Sequence, residues 1–142
     1  MVIGGRDQQQ NEIVVKKYLK AGDLYVHADL HGVRFLFFSL SIEKYFLMFF
    51  WKKASSVVIK NPTGNSVPPK TLNEAGCMAV CYSVAWEAKV LANAWWVYHH
   101  QVSKQAPTGE YLGTGSFMIR GKKNFLPQTA LVFGFGVLYK VF

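Results

Sequence analysis

A single α+β domain, with a largely antiparallel sheet packed by two main helices, is predicted by three features of this sequence. Residues 23–32, 54–60 and 94–102 are β-prone stretches with a side-chain period of two. Two capping-box patterns each lead into apolar residues at helical spacing. The length, 142 residues, suffices for one core and makes a second domain unexpected.

Val2 to Arg6 reads as a strand already under way. Asp7, with Gln10 three residues on, is an N-cap pattern leading into a helix over Asn11 to Leu19. That helix is expected to turn Ile13, Val14 and Tyr18 inward and to expose Lys16, Lys17 and Lys20, before Ala21-Gly22 closes it. In the central strand, Asp23 to Gly32, alternation puts Tyr25, His27, Asp29 and His31 on one polar face and Leu24, Val26, Ala28 and Leu30 on an apolar one. A neighbouring strand over Ala54 to Lys60 sets Val57 and Ile59 opposite Ser56, Val58 and Lys60. Turn formers follow, Asn61-Pro62-Thr63-Gly64-Asn65-Ser66, and then Pro68-Pro69. Thr71-Leu72-Asn73-Glu74 reads as the second capping box of a core helix reaching about Val90. Gly76 inside that helix costs up to about 1 kcal/mol in propensity and points to close packing against a strand. Ala94 to Val102 reads as one aromatic strand, with Trp96, Tyr98, His100 and Val102 facing one way. Ser116 to Arg120 is expected as a short strand, Gly121-Lys122-Lys123-Asn124 as a basic turn, and Leu131 to Tyr139 as a last strand. Both chain ends read as cut.

One stretch is foreign to this pattern. Val33 to Lys53 holds six of the eleven Phe, has no consistent period, and offers no polar face on a helix. Glu43-Lys44 splits its apolar run below the roughly 18 residues of a transmembrane helix, so no membrane partner is expected. Val33-Arg34 is what a splice-donor sequence would encode, and the Lys53 codon can supply an acceptor. Removing the segment joins Gly32 to Ala54 in frame as strand, tight turn and strand, so it reads as an insert, a retained intron or gene-model artefact, within one domain spanning 1–142.

Net charge is +8, of which residues 33–53 carry +3. The balance favours polyanionic partners, with nucleic acid the commonest. Cys77 and Cys81 share a helical face without disulfide placement and read as buried thiols in a reducing compartment. The polar N-terminus is no signal peptide, which makes the cytoplasm the default location.

Three kinds of chemistry compete. His27, Asp29 and His31 on one strand face would suit a zinc-type metal in a hydrolase. The Trp95/Trp96 face would suit a salt-insensitive protein partner. The basic residues Arg6, Lys16, Lys17, Lys60, Lys70, Lys104, Arg120, Lys122 and Lys123, with His27 and His31 among them, suit RNA, since cations meet phosphates and interspersed rings stack on unpaired bases. No other catalytic constellation stands: five residues separate Gly115 from Gly121-Lys122 where a phosphate loop requires four, and no serine nucleophile elbow is present. No cofactor is expected.

Five blocks bear a family resemblance. Gly5-Arg6-Asp7-Gln8-Gln9-Gln10-Asn11-Glu12, Tyr25-Val26-His27-Ala28-Asp29-Leu30-His31-Gly32, Ile59-Lys60-Asn61-Pro62-Thr63-Gly64, Ala94 to Lys104 and Thr114 to Leu126 closely resemble the NFACT-R domain of the nuclear export mediator factor (Caliban) family. The resemblance spares Val33 to Lys53. It implies the RNA-binding part of a ribosome-associated quality control factor that binds tRNA and ribosomal RNA on the large ribosomal subunit at stalled nascent chains. An E3 ubiquitin ligase would be a partner through the full-length protein, in the cytoplasm and also the nucleus. The residues that the family uses to promote tailing lie in its NFACT-N domain, which has no counterpart here, so the chain is expected to bind without catalysing.

Overall fold

The computed structural model describes residues 1–30 and 55–141. Their framework is an antiparallel sheet of β1 (Val2–Gly4), β2 (Leu24–Asp29), β3 (Ser56–Ile59), β4 (Asn93–Tyr98) and, at the far edge, β7 (Asn124–Phe125). The order across it is β1-β3-β2-β4-β7, with Leu24 opposite both Ile59 and Tyr98. A separate two-stranded sheet pairs β5 (Val102–Ser103) with β6 (Met118–Ile119). Three helices, α1 (Gln8–Ile13), α2 (Pro69–Cys81) and α3 (Val84–Ala88), complete the α+β domain among the described residues.

Both faces of the large sheet are covered, which corrects the expectation of one polar face. Leu24, Val26, Ala28, Val57, Ile59 and Ala94 pack against Ala75, Ala79 and Val80 of α2 and Val84 and Ala85 of α3. On the opposite face Tyr25, Trp95 and Val97 meet Val15, Leu19, Val102 and Ile119. Tyr25 can be buried because its hydroxyl is paired with Ser56 at 2.8 Å, so its apolar body adds to the core without an orphaned polar atom. Each fully buried valine, such as Val26, Val57 and Val97, stabilises the domain by about 1.5–3 kcal/mol relative to exposure.

Asp7 caps α1 as its spacing predicts, accepting a hydrogen bond from Gln10 N at 2.8 Å. Gln10 Oε1 reaches back to Arg6 N, one residue earlier than in the usual box. The helix then widens into a π-helical turn over Val14–Tyr18, shifting the buried face. Asn11 and Val14 are buried whereas Ile13 is 56% exposed, correcting its inward assignment. Asn11 Oδ1 accepts from Ser56 N at 3.0 Å and docks the helix on β3.

The second helix starts at Pro69, ahead of the Thr71 box, because proline suits the first helical turn, where its missing N–H would be unpaired anyway. It ends at Cys81 rather than near Val90. Ser83 Oγ donates to Val80 O at 2.6 Å and accepts from Ala85 N at 3.2 Å, stopping one helix and capping the next. A Cβ at Gly76 would lie 2.9 Å from Leu126 Cδ1 and 3.3 Å from Ala94 Cβ, so the glycine permits close approach of α2 to β4.

The long aromatic strand is interrupted after Tyr98. Gln101 Oε1 accepts from Tyr98 N at 3.0 Å and folds His99–Gln101 into a 3₁₀ turn, so Val102 leaves the side of Trp96 and packs with Tyr25, Trp95 and Val97. Leu131 to Tyr139 joins no sheet. Pro127 cannot donate to a ladder, and the chain beyond it is held instead by Phe133 against Tyr82 (ring centres 5.2 Å apart) and by the Cys77 thiol donating to Val132 O at 3.3 Å. Phe135, Val137 and Tyr139 stay exposed. Cys77 and Cys81 are free thiols 3.9 Å apart, Cys81 buried and Cys77 half-buried, and burial pushes the Cys81 thiol up to about 11. No described helix is long and apolar enough to cross a membrane.

Candidate nucleic-acid interface

The basic residues divide into those turned inward and those left to the surface. Lys60, at the end of β3, forms an ion pair with Asp23, whose side chain is buried, and donates to Tyr18 O at 2.7 Å. Burial alone would raise the Asp23 pKa, but bonds from Lys60, Asn61 N and Lys20 N outweigh it and lower it. Lys104 is held as firmly. Its ammonium meets Glu12 at 2.7 Å, Gly113 O at 2.6 Å and Ser116 O at 2.9 Å. Glu12 also accepts from Gly115 N at 2.7 Å and Lys16 at 2.9 Å; these donors override its desolvation and hold its pKa at about 2. Gly115 has φ +74°, and a Cβ there would lie 2.7 Å from Gln8 O, so only glycine brings this N–H to Glu12.

A cation spending its donors this way is a clamp, with little left for a phosphate. The geometry therefore sets Lys60 and Lys104 apart from the RNA-contact residues expected from charge. Lys70 lies on α2, on the opposite layer from Lys16, and faces Glu74 at 3.9 Å in the open. Arg6 and Lys17 are exposed at either end of the α1 region.

The turn at 120–123 behaves differently. Arg120 and Lys122 are exposed, and neither forms an ion pair among the described residues. Gln101 fixes the backbone beneath them: its Nε2 donates to Arg120 O at 2.8 Å and Lys122 O at 3.1 Å, while Arg120 N donates to Gln101 O at 2.9 Å. Gly121, at φ +78°, makes the bend. Lys123 places its ammonium 4.4 Å from the ring centre of Trp95. Beside the turn Tyr98, 49% exposed, stacks on His100 with centroids 5.8 Å apart and planes 7° from parallel. A fixed backbone, free cations and an exposed ring stack thus share one edge of the domain.

His27 is partly buried between Tyr25 and Trp95, with ring centres at 6.0 and 5.3 Å, and its Nδ1 donates to Ala28 O at 2.9 Å. Burial lowers its pKa to about 4, with nearby Lys123 adding to the effect, so it is neutral at pH 7 and unsuited to a phosphate ion pair. His31 and the segment Val33 to Lys53 lie outside the described residues. Among those residues no three metal-ligating side chains come together, and a hydrolase centre draws no support from His27 and Asp29. The Trp95/Trp96 pair is no open docking face either: Trp95 is 5% exposed, and Trp96 packs against the core on the other side of the sheet.

Sequence reasoning missed Gln101, Glu12 and the Tyr98/His100 stack. The placing of Tyr98 and His100 on one side of the aromatic strand was a usable signal for the stack; Gln101 has one local partner, Tyr98 N, but the carbonyls of Arg120 and Lys122 that make it the support of the turn are about twenty residues away.

The family profile described as the NFACT protein RNA binding domain matches residues 1–44 and 36–121. The chain is 62% identical over 141 residues to a human protein named ribosome quality control complex subunit NEMF, covering 99% of this chain and 11% of that one. Its homolog from Drosophila melanogaster is 55% identical over 141 residues, 99% of this chain and 12% of the relative. The chain thus spans about a tenth of the length of these curated relatives. Among solved structures, the C-terminal part of the fibronectin/fibrinogen-binding protein from Streptococcus suis shares the fold, with TM-score 0.56 and 21% identity over 88% of this chain and 39% of that one. By the profile match across most of its length, the chain belongs to the NFACT protein RNA-binding domain family.

Proposed function

We propose that this domain is a non-enzymatic RNA-binding module that holds tRNA and ribosomal RNA on the large ribosomal subunit at stalled nascent chains. In this reading it grips the sugar-phosphate backbone without reading base sequence. The observation that carries it is the turn Arg120-Gly121-Lys122-Lys123, fixed by Gln101 and flanked by the exposed Tyr98/His100 stack. The names of the relatives, subunits of a ribosome quality control complex, supply the setting. An E3 ubiquitin ligase joins through the longer protein, and the complex works in the cytoplasm and also the nucleus. The test is binding of tRNA and of purified large ribosomal subunits across a salt titration. Each cation that neutralises a phosphate contributes about 0.7–0.9 to the logarithmic salt slope. Lys122→Ala with Lys123→Ala is expected to reduce the slope by about 1.5; an unchanged slope removes the turn from the site.

Residues 33–53 are an insertion into this domain, and two observations support that. The family profile matches not in one run but in two segments, 1–44 and 36–121, which break and overlap inside the stretch. In the β2/β3 register His27 lies opposite Ser56, so continuing it two steps would put Asp29 opposite position 54. A chain lacking 33–53 would then close the hairpin through Leu30-His31-Gly32, a three-residue loop with glycine where a left-handed residue is needed. A deletion variant is expected to fold with the same sheet and to be more soluble, having lost a Phe-rich segment. Loss of folding on deletion would make the segment integral.

A further inference from the structure

The 3₁₀ turn that presents Gln101 to the basic turn also places His99 in a cleft of about 280 Å³ on the other side. Val15, Leu19, Val102 and Phe117 form its apolar walls, and Lys16 and Lys104 its cationic ones. Lys104 is committed to Glu12 and lies 4.8 Å from the centre of the Phe117 ring. Lys16 also touches Glu12, yet its side chain is 66% exposed, and the two lysines against one carboxylate leave the cleft with a net positive charge. Lys17 and Lys20, both exposed, stand next to the lining residues Lys16 and Leu19 in the chain and add positive charge to this region.

We propose that this cleft takes one unstacked base of a single-stranded RNA segment whose backbone continues onto the Arg120–Lys123 turn. The inference rests on the RNA-binding reading and gives it a base-capture subsite. The volume, about 280 Å³, falls just below the range of small-molecule sites, about 300–1,000 Å³, which suits one planar ring and excludes a base pair. Apolar walls with an aromatic edge give a base somewhere to leave water, and sequence-tolerant capture follows because every base has a π-face. Lys16 stands at the mouth where the attached phosphate would pass. His99 forms an edge-on contact with His100, with ring centres 5.8 Å apart, and so joins the cleft to the Tyr98/His100 stack. Charge complementarity selects the occupant: an aromatic side chain of a protein could fill the walls but would leave the lysine rim unmatched.

The experiment compares the whole chain binding a short oligouridylate and the same oligomer with its central bases removed and its phosphates kept. The base-bearing oligomer is expected to bind about tenfold tighter, a ratio of the size stacking supplies. Val102→Trp, which fills the cleft, should bring its affinity down to the abasic level, the loss being the same at low and high salt. Lys122→Ala with Lys123→Ala should preserve the tenfold ratio while lowering both affinities. Because a filled cleft can disturb folding, 4-thiouridine crosslinking on the unaltered protein gives an independent readout, expected at residues 15–19, 99–104 or 117. Equal affinity for both oligomers, or crosslinks wholly elsewhere, overturns the base cleft and leaves backbone binding intact. Failure to bind either oligomer overturns both. Competition by an aromatic peptide but not by mononucleotide would reassign the cleft to a protein partner and also overturn the proposal.

Discussion

Lys60 and Lys122 have the same side chain and opposite uses. Lys60 is 23% exposed, forms an ion pair with a buried aspartate and closes the end of the π-helical turn through Tyr18 O. Lys122 stands in solvent on a backbone held from below by Gln101. The first region spends positive charge on holding the chain together; the second holds the chain together with a neutral amide and leaves its charge unspent. The difference shows why counting lysines overstates an RNA site. An ammonium already bonded to a carboxylate releases no counterion when a phosphate arrives, whereas an exposed one does.

The strongest way to break this comparison is to remove the inward cation. Lys60→Ala leaves Asp23 buried without its counter-charge and is expected to cost about 3–5 kcal/mol in urea unfolding, with the salt slope of RNA binding unaltered. A small stability loss with a reduced slope would reverse the roles of the two regions. Next in size, Glu12→Gln weakens the bonds to Lys104 and Lys16 and should cost about 1–3 kcal/mol.

Acid titration sharpens the same point by separating two groups. The Glu12 pKa is depressed from 4.5 to about 2, so its contribution is present above pH 4.5 and is lost as pH falls toward 2. His27, depressed from 6.5 to about 4, must be neutral in the fold, and protonation of the unfolded chain erodes stability as pH falls from 6.5 toward 4. His27→Phe should flatten only the upper window and Glu12→Gln only the lower, as followed by thermal melts; a single shared transition would contradict the assignment. The smallest effect belongs to the outward region. Lys122→Ala with Lys123→Ala should change stability by no more than about 0.5 kcal/mol beyond the modest Trp95 contact.

The same contrast explains which features were legible beforehand. Asp7 and Gln10 mark a helix start because capping is a contact between residues three or four apart, and the alternation of Leu24, Val26 and Ala28 identifies a buried strand face without knowledge of its partner. Gly76 was likewise readable as a point of close approach. The alternation of Leu131 to Tyr139 misled, since a period of two shows what a strand would look like and not whether a sheet edge lies within reach. The commitment of Lys104 was hidden for a parallel reason: its carboxylate partner is 92 residues distant, and charge composition has no access to that pairing.

The amino-acid order alone determined the class of fold, the Asp7 cap of the first helix, the core strands and the excess of positive charge, because these follow from neighbours along the chain and from composition. The tertiary structure alone decided which cations are clamps and which are free, that Gln101 carries the basic turn, and that a cleft opens beside His99. Those outcomes depend on groups from distant segments meeting at hydrogen-bond range, where a shift of an ångström separates a satisfied ammonium from one available to a phosphate.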